Sequence, residues 1–348
     1  MLLTIIVFIF ILGLLIFVHE GGHFLAARAA NIKVEEFAFG FPPRLISRKR
    51  GETEYALNLL PIGGYVRLLG EDGQSSDPRA FNRQSVAKRL AVVVAGVGMN
   101  LVLAVIVFWI GFMIGMVPVV SEPAQLGGVE APQLFVTGVV PGSSAASIGL
   151  EQFDVILGYR NGDELRAFTT GHAGQPVEIQ ILRDGAELTK QVTLGSDASA
   201  PLGVYTQQVT KVKLGVFPAL RAAIIETGKT IGATFHFLAD FFQGLIRHGQ
   251  VAEGVTGPIG IFQITAQTVQ LGFSYILQLL GILSVNLALL NILPIPALDG
   301  GRGLFIALEG VVRRRVIREE IESVIHAIGF VLLLALIALI TYRDIIRL

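Results

Sequence analysis

Cysteine is absent from the 348 residues. That excludes thiolate metal ligands, a cysteine nucleophile and any disulfide, so a domain outside a membrane must hold together through its apolar core. Charge is also scarce, at 16% of residues with a formal net charge of +0, where an ordinary soluble domain carries roughly a quarter charged residues. Neutrality of this kind gives no footprint for a nucleic-acid partner. The Walker A pattern is missing as well, so ATP is not expected to drive whatever this chain does.

What the chain has instead is apolar sequence: 52% of residues are hydrophobic and the mean hydropathy is +0.65. An uncharged run at 2–18 and further runs at 90–117, 275–294 and 324–341 are each of the length that crosses about 30 Å of hydrocarbon. Residues 216–246 differ. Phe235, Phe237, Leu238, Phe241, Phe242 and Leu245 alternate there with Arg221, Glu226, Lys229, His236 and Asp240, which predicts an amphipathic helix lying at the membrane interface in preference to a fifth span.

Lys and Arg are distributed unevenly. Arg28, Lys33, Arg44, Arg48, Lys49, Arg50, Arg67, Arg79 and Arg83 crowd the first loop, and Arg302, Arg313, Arg314, Arg315 and Arg318 follow the third span. Both loops are expected on the cytoplasmic side, the run Arg313 to Arg315 as a positive anchor that also suits anionic lipid. Region 118–200 carries more acids than bases and is expected on the far side.

At the inner end of the first run stands His19-Glu20-Gly21-Gly22-His23. Histidines four apart share one helical face and can share a metal, and the Glu between them can reach a water as general base. Such groups at membrane depth are costly without partners and are functional by default. A secretory signal peptide, with Ala26 to Ala30 as its cleavage site, is the competing reading, but the start lacks a basic segment and cleavage would discard both histidines. His172, His236, His248 and His326 lie far from the motif in sequence and read as surface or interfacial side chains.

A catalytic zinc needs a third protein ligand and an open position. Ala26 and Ala29 exclude the metzincin spacing. Glu52 and Glu54 are the nearest downstream carboxylates but sit in a basic loop outside the predicted membrane. Asp299 is the better candidate. It lies in Asn291-Ile292-Leu293-Pro294-Ile295-Pro296-Ala297-Leu298-Asp299-Gly300-Gly301, which ends the third span, where the prolines must unwind the helix and the glycines permit backbone geometry that other residues resist. Irregular backbone at that depth is tolerated only where protein buries it or it lines a watery cavity.

With these motifs the chain resembles the site-2 protease family of intramembrane zinc metalloproteases, in particular bacterial members with a single PDZ domain that release membrane-bound regulators. The resemblance implies that His19, His23 and Asp299 hold one zinc ion, that Glu20 is the general base, and that Asn291 supports catalysis by holding the substrate backbone or the oxyanion. Leu59-Leu60-Pro61-Ile62-Gly63-Gly64-Tyr65-Val66 is similar to the family's β segment, and Ala95-Gly96 with Asn100 to its second span, although Val97 stands where the family commonly has proline. The segment 56–69, with Gly63, Gly64 and Tyr65, offers a sheet edge that could receive an unwound substrate.

Residues 134–140, 155–159, 177–182 and 188–194 are strand-like and separated by glycine-rich turns. This region resembles a permuted PDZ domain, with Leu202-Gly203-Val204 as the loop for a peptide C-terminus. Phe153 replaces the usual glycine before Asp154, and the stretch from Asn161 to Gln175 is short for a groove helix, so a filter that excludes large ectodomains is favoured over peptide capture.

The expected architecture is a polytopic α-helical membrane protein of about four transmembrane helices, with a membrane-associated β segment and an inserted β-rich PDZ-like domain. Its divisions are 1–117 and 273–348 for the two halves of the protease core, 118–205 for the extracytoplasmic insert, and 206–272 for a linker with the amphipathic helix. The expected activity is hydrolysis within single-span membrane proteins at the bacterial inner membrane, near its cytoplasmic face. The competing functions are a non-catalytic PDZ adaptor, an ion-coupled transporter with its broken helix at 291–301, and an anchored zinc protease whose site lies outside lipid.

Overall fold

A computed structural model of the chain describes all residues except 72, 74, 184–185, 197–200, 249–254, 315–316, 318 and 347–348. Arg315 and Arg318 of the second basic loop thus lie outside the described residues. In chain order the elements are α1 (Leu2–Ala29), β1 (Val34–Arg50), β2 (Thr53–Leu68), α2 (Val86–Ile114), α3 (Pro123–Leu126), β3 (Gln133–Val139), α4 (Ser144–Ser147), β4 (Val155–Ile156), α5 (Gly162–Gly171), β5 (Pro176–Arg183), β6 (Ala186–Thr193), β7 (Val204–Val209), α6 (Val216–His248), α7 (Pro258–Leu271), α8 (Phe273–Ile292), α9 (Asp299–Val312) and α10 (Glu319–Ile346).

Among the described helices α1, α2, α8 and α10 are long and apolar enough to cross a membrane, at the places hydropathy predicts. Exposed Leu2, Ile6, Phe10, Val331 and Leu332 on α1 and α10 would be unfavourable in water and are at home against lipid. The amphipathic segment is the single helix α6 and is not among those four. It buries Ala223, Glu226, Thr227 and Thr230, a spacing of three and four that places them on one face.

The chain divides into two compact units, one of Met1–Phe108, Ala223–Val269 and Leu279–Leu348, the other of Trp109–Ala222 and Gln270–Gln278. In the first, β1 and β2 fold back on themselves to make more rows than strands. Val34, Phe37 and Phe39 face Leu68, Val66 and Gly64, while Phe37 and Phe39 also face Tyr55 and Leu57, and Ile46, Arg48 and Arg50 face Leu57, Tyr55 and Thr53. Residues 44–50 and 64–68 are therefore the outer rows. Leu45, Ile46, Leu57, Leu59 and Leu60 are exposed on this sheet, as a membrane-associated β segment requires. Ala27, Ile32, Val34, Leu68, Phe81, Val92, Val93 and Ile306 form a common core that ties α1, the sheet, α2 and α9 together.

The second unit carries a five-stranded sheet in the order β6-β5-β4-β3-β7 over a core that includes Leu134, Val136, Ile156, Ile179, Ile181 and Leu202, with α5 capped by the Asn161 side chain. This is the sheet and helix a PDZ-like domain needs. One detail differs from expectation. Val204 belongs to a strand, β7, whose polar, weakly patterned Tyr205-Thr206-Gln207-Gln208 gives little strand signal. The stretch after Asn161 forms a helix of 10 residues. Phe153 takes φ +78, the left-handed backbone for which glycine is the usual residue at that place.

Candidate metal centre

His19 and His23 lie one turn apart near the end of α1, their rings edge to face with centroids 4.8 Å apart. Asp299 opens α9 after the loop that follows α8. Its Oδ2 lies 3.0 Å from His19 Nε2 and 3.3 Å from His23 Nε2, and the two Nε2 atoms are 3.3 Å apart. Ligands about 2.0–2.1 Å from a tetrahedral zinc stand about 3.3 Å from one another. The three separations match that spacing, so the donor set fits zinc.

The far side of each imidazole is also fixed. His23 Nδ1 donates to the Val92 carbonyl at 2.9 Å, which leaves the Nε2 lone pair free. The Asn100 carboxamide sits 3.3 Å from His19 Nδ1. Turning that amide about its axis lets Asn100 Oδ1, which has no other partner, accept the Nδ1 proton. Asn100 is itself fully buried, and its backbone carbonyl accepts from Ser284 on α8 at 2.7 Å. Such outer partners set tautomer and ring orientation.

The glycines of both motifs act through space more than through backbone freedom. A Cβ at Gly22 would lie 2.4 Å from the Ala95 carbonyl oxygen, and one at Gly96 would lie 2.4 Å from His23 Nε2. A Cβ at Gly300 would meet the Ile292 oxygen at 2.2 Å, and one at Gly301 the Ile295 oxygen at 2.4 Å. Gly300 and Gly301 are ordinary helical residues at the start of α9, which corrects the expectation that they supply unusual backbone geometry. That geometry belongs to Ala297, at φ +77. A Gly96→Ala variant is expected to keep its helix, since alanine is the better helix former by about 1 kcal/mol. It should nevertheless weaken zinc retention about ten- to a hundredfold, the range seen when a metal's surroundings are disturbed. Zinc content after dialysis and circular dichroism together check this, and full retention would refute the close contact.

Glu20 shares a cavity of about 160 Å³ with both histidines, Asp299, Gly64 and Glu71, room for roughly five waters. A Cβ on Gly64 would lie 3.1 Å from Glu20 Cγ, so the outer row 64–68 runs directly past the general-base candidate. Asn291, at the end of α8, brings its Nδ2 to 3.3 Å from His19 Nε2. Arg302, one turn beyond Asp299, pairs with Glu71 and closes one side of the cavity.

Glu52 and Glu54 are engaged elsewhere. Arg79 holds Glu52 at 2.6 Å and keeps its carboxyl below the ordinary value, and Glu54 pairs with Arg44. Leu202, Gly203 and Val204 belong to the other unit, where the Leu202 side chain is in the core and the Leu202 and Gly203 carbonyls accept from Ala145 and Val140. Sequence reasoning passed over Asn100, Gly96, Glu71 and Arg302 as site residues. The signal available was Asn100 itself, a carboxamide inside an apolar span.

The pattern of peptidase family M50 matches residues 7–336. A Clostridium perfringens protein provisionally named a zinc metalloprotease is 36% identical over 339 residues, which cover 95% of each chain. The zinc metalloprotease RasP of Oceanobacillus iheyensis is 30% identical over 99% of each chain, and that of Geobacillus kaustophilus 28% over 98% of this chain and 97% of its own.

Proposed function

Because the chain belongs to peptidase family M50 and is thereby a zinc metalloprotease of the membrane, we propose that His19, His23 and Asp299 are its zinc ligands and that it cleaves single-span membrane proteins in or near their membrane segments. The observation that carries this reading is the set of three donor atoms 3.0–3.3 Å apart with a carboxylate and a free sheet row in the same cavity. Zinc held there supplies polarisation of the scissile carbonyl and acidification of water. Glu20 takes the proton of the attacking water and later hands it to the leaving amine. Asn291 Nδ2 donates to the carbonyl oxygen as charge develops on it.

A helical substrate hides its scissile carbonyl, so the chain must bind an unwound stretch. The row 64–68 pairs with β1, and Gly64, Tyr65 and Val66 line the cavity. Substrate adds there as a further strand, while the space beside Gly63 and Gly64 is taken by Phe41 and Glu20 of the chain itself. The basic loops support a site toward the cytoplasmic face of a bacterial inner membrane, with the PDZ-like insert 118–205 on the other side. A size filter needs no working peptide groove, and it is favoured over capture of a peptide C-terminus.

Purified protein in detergent is expected to cleave a single-span test protein, to lose that activity to a zinc chelator and to regain it with added zinc. A substrate bearing a large outer domain should be cut far more slowly than one trimmed to a short tail. Cleavage that survives chelation would overturn the metal reading, and equal rates on the two substrates would overturn the filter.

A further inference from the structure

The loop that delivers Asp299 has few means of holding its own shape. Pro294 and Pro296 carry no amide proton. Of the donors that remain between them and α9, Ile295 bonds back to the Leu293 carbonyl at 2.7 Å and Leu298 to the Ile295 carbonyl at 3.2 Å. The Ala297 amide instead leaves the loop and donates to Nδ1 of His326, on α10, at 3.0 Å. Ala297 is also the residue with φ +77, a conformation that a side chain with a Cβ keeps only where its surroundings over-determine it.

A second contact lies on the same face of α10. Gly329 follows His326 by three residues, and a Cβ there would stand 2.5 Å from Pro296 Cβ and 2.7 Å from the Pro296 oxygen. Only glycine lets the loop backbone rest on the helix at that point. Phe305 of α9 meets the His326 ring at 5.9 Å and 75°, which restrains the imidazole from the side of the ligand's own helix. Accepting at Nδ1 requires the neutral imidazole with its proton on Nε2. Hydropathy reads α10 as a lipid-facing span and leaves His326 as an interfacial side chain, yet its ring is turned inward to the loop.

We propose that His326 and Gly329 form a seat on α10 for Pro296 and Ala297, and that His326 is a positioning residue whose acceptor sets where Asp299 stands. The inference rests on the assignment of Asp299 as a zinc ligand and assigns α10 a part in the metal site that its apolar composition does not suggest. His326 touches neither substrate nor the donor atoms, so its effect must pass through the loop.

The test compares His326→Leu, which fills similar space without an acceptor, with His326→Asn, whose carboxamide oxygen can stand near the place of Nδ1. Gly329→Ala is a second route to the same disturbance with His326 intact. In metal-free protein, hydrogen exchange at Ala297 is expected to accelerate in His326→Leu and to return toward the parent rate in His326→Asn. In zinc-loaded protein, transfer of zinc to a chelator should quicken about ten- to a hundredfold in His326→Leu and Gly329→Ala, with kcat falling and KM little changed. Unchanged exchange at Ala297 in His326→Leu, or His326→Asn behaving no better than His326→Leu, overturns the seat. Faster exchange without faster zinc release overturns its role toward the ligand when Asp299→Ala itself sheds zinc. If Asp299→Ala keeps its zinc, the ligand assignment is what fails, and exchange at Ala297 still judges the seat.

Discussion

Glu20→Gln is expected to leave zinc bound and to cut peptide cleavage by about 10²- to 10⁴-fold, the usual share of a positioned general base. The two side chains have the same shape, so the approach of residue 20 to Gly64, 3.1 Å from Glu20 Cγ to an added Cβ, is preserved. What the amide lacks is a lone pair basic enough to take a proton from water. Folding should not suffer, because a neutral amide is cheaper to bury than a carboxylate. The measurement is zinc per chain beside the single-turnover cleavage rate of a single-span substrate. A variant that cleaves at the parent rate removes Glu20 from the mechanism, and one that has lost zinc shows that the residue serves the metal instead.

Asp299→Ala is expected to lower zinc affinity by more than about a hundredfold, beyond the range of losses outside the ligand shell. Glu52→Ala and Glu54→Ala should bind zinc as the parent does. The contrast follows from partners. Oδ2 of Asp299 stands 3.0 and 3.3 Å from two imidazole nitrogens, whereas Glu52 and Glu54 are engaged by Arg79 and Arg44. In Asp299→Ala the two histidines remain as a pair without the carboxylate that completes three donors, and activity should fall with zinc content. Zinc retained in Asp299→Ala but lost in either glutamate variant would move the third ligand to the hairpin loop.

The spans were legible because hydropathy is a local property: a run of apolar residues long enough to cross hydrocarbon has few other uses. The pairing of His19 with His23 was legible for a similar reason, since helical periodicity alone puts positions four apart on one face. Pro294 and Pro296 announced the end of α8 because they remove amides wherever they stand. The strand β7 was not legible. Its residues alternate weakly, and its place beside β3, with Val139 facing Val204 and Gln133 facing Val209, is a pairing across a long stretch of chain.

Sequence by itself thus determined the membrane character, the two motifs that carry the candidate ligands and the exclusion of thiol chemistry. Tertiary structure decided how the halves meet. The 3.0 Å approach of Asp299 to His19 depends on how α1 packs on α2, where Gly22 and Gly96 leave no Cβ in the way, and on how α9 rests on the loop after α8, where Gly300 and Gly301 do the same. In the sequence those glycines look like conformational freedom; only the neighbours they meet reveal them as space for a carbonyl or an imidazole. Asn100, the Val92 carbonyl and His326 are the same kind of case. Each acts on a residue far along the chain, and a hydrogen bond between distant positions has no periodicity from which it can be read.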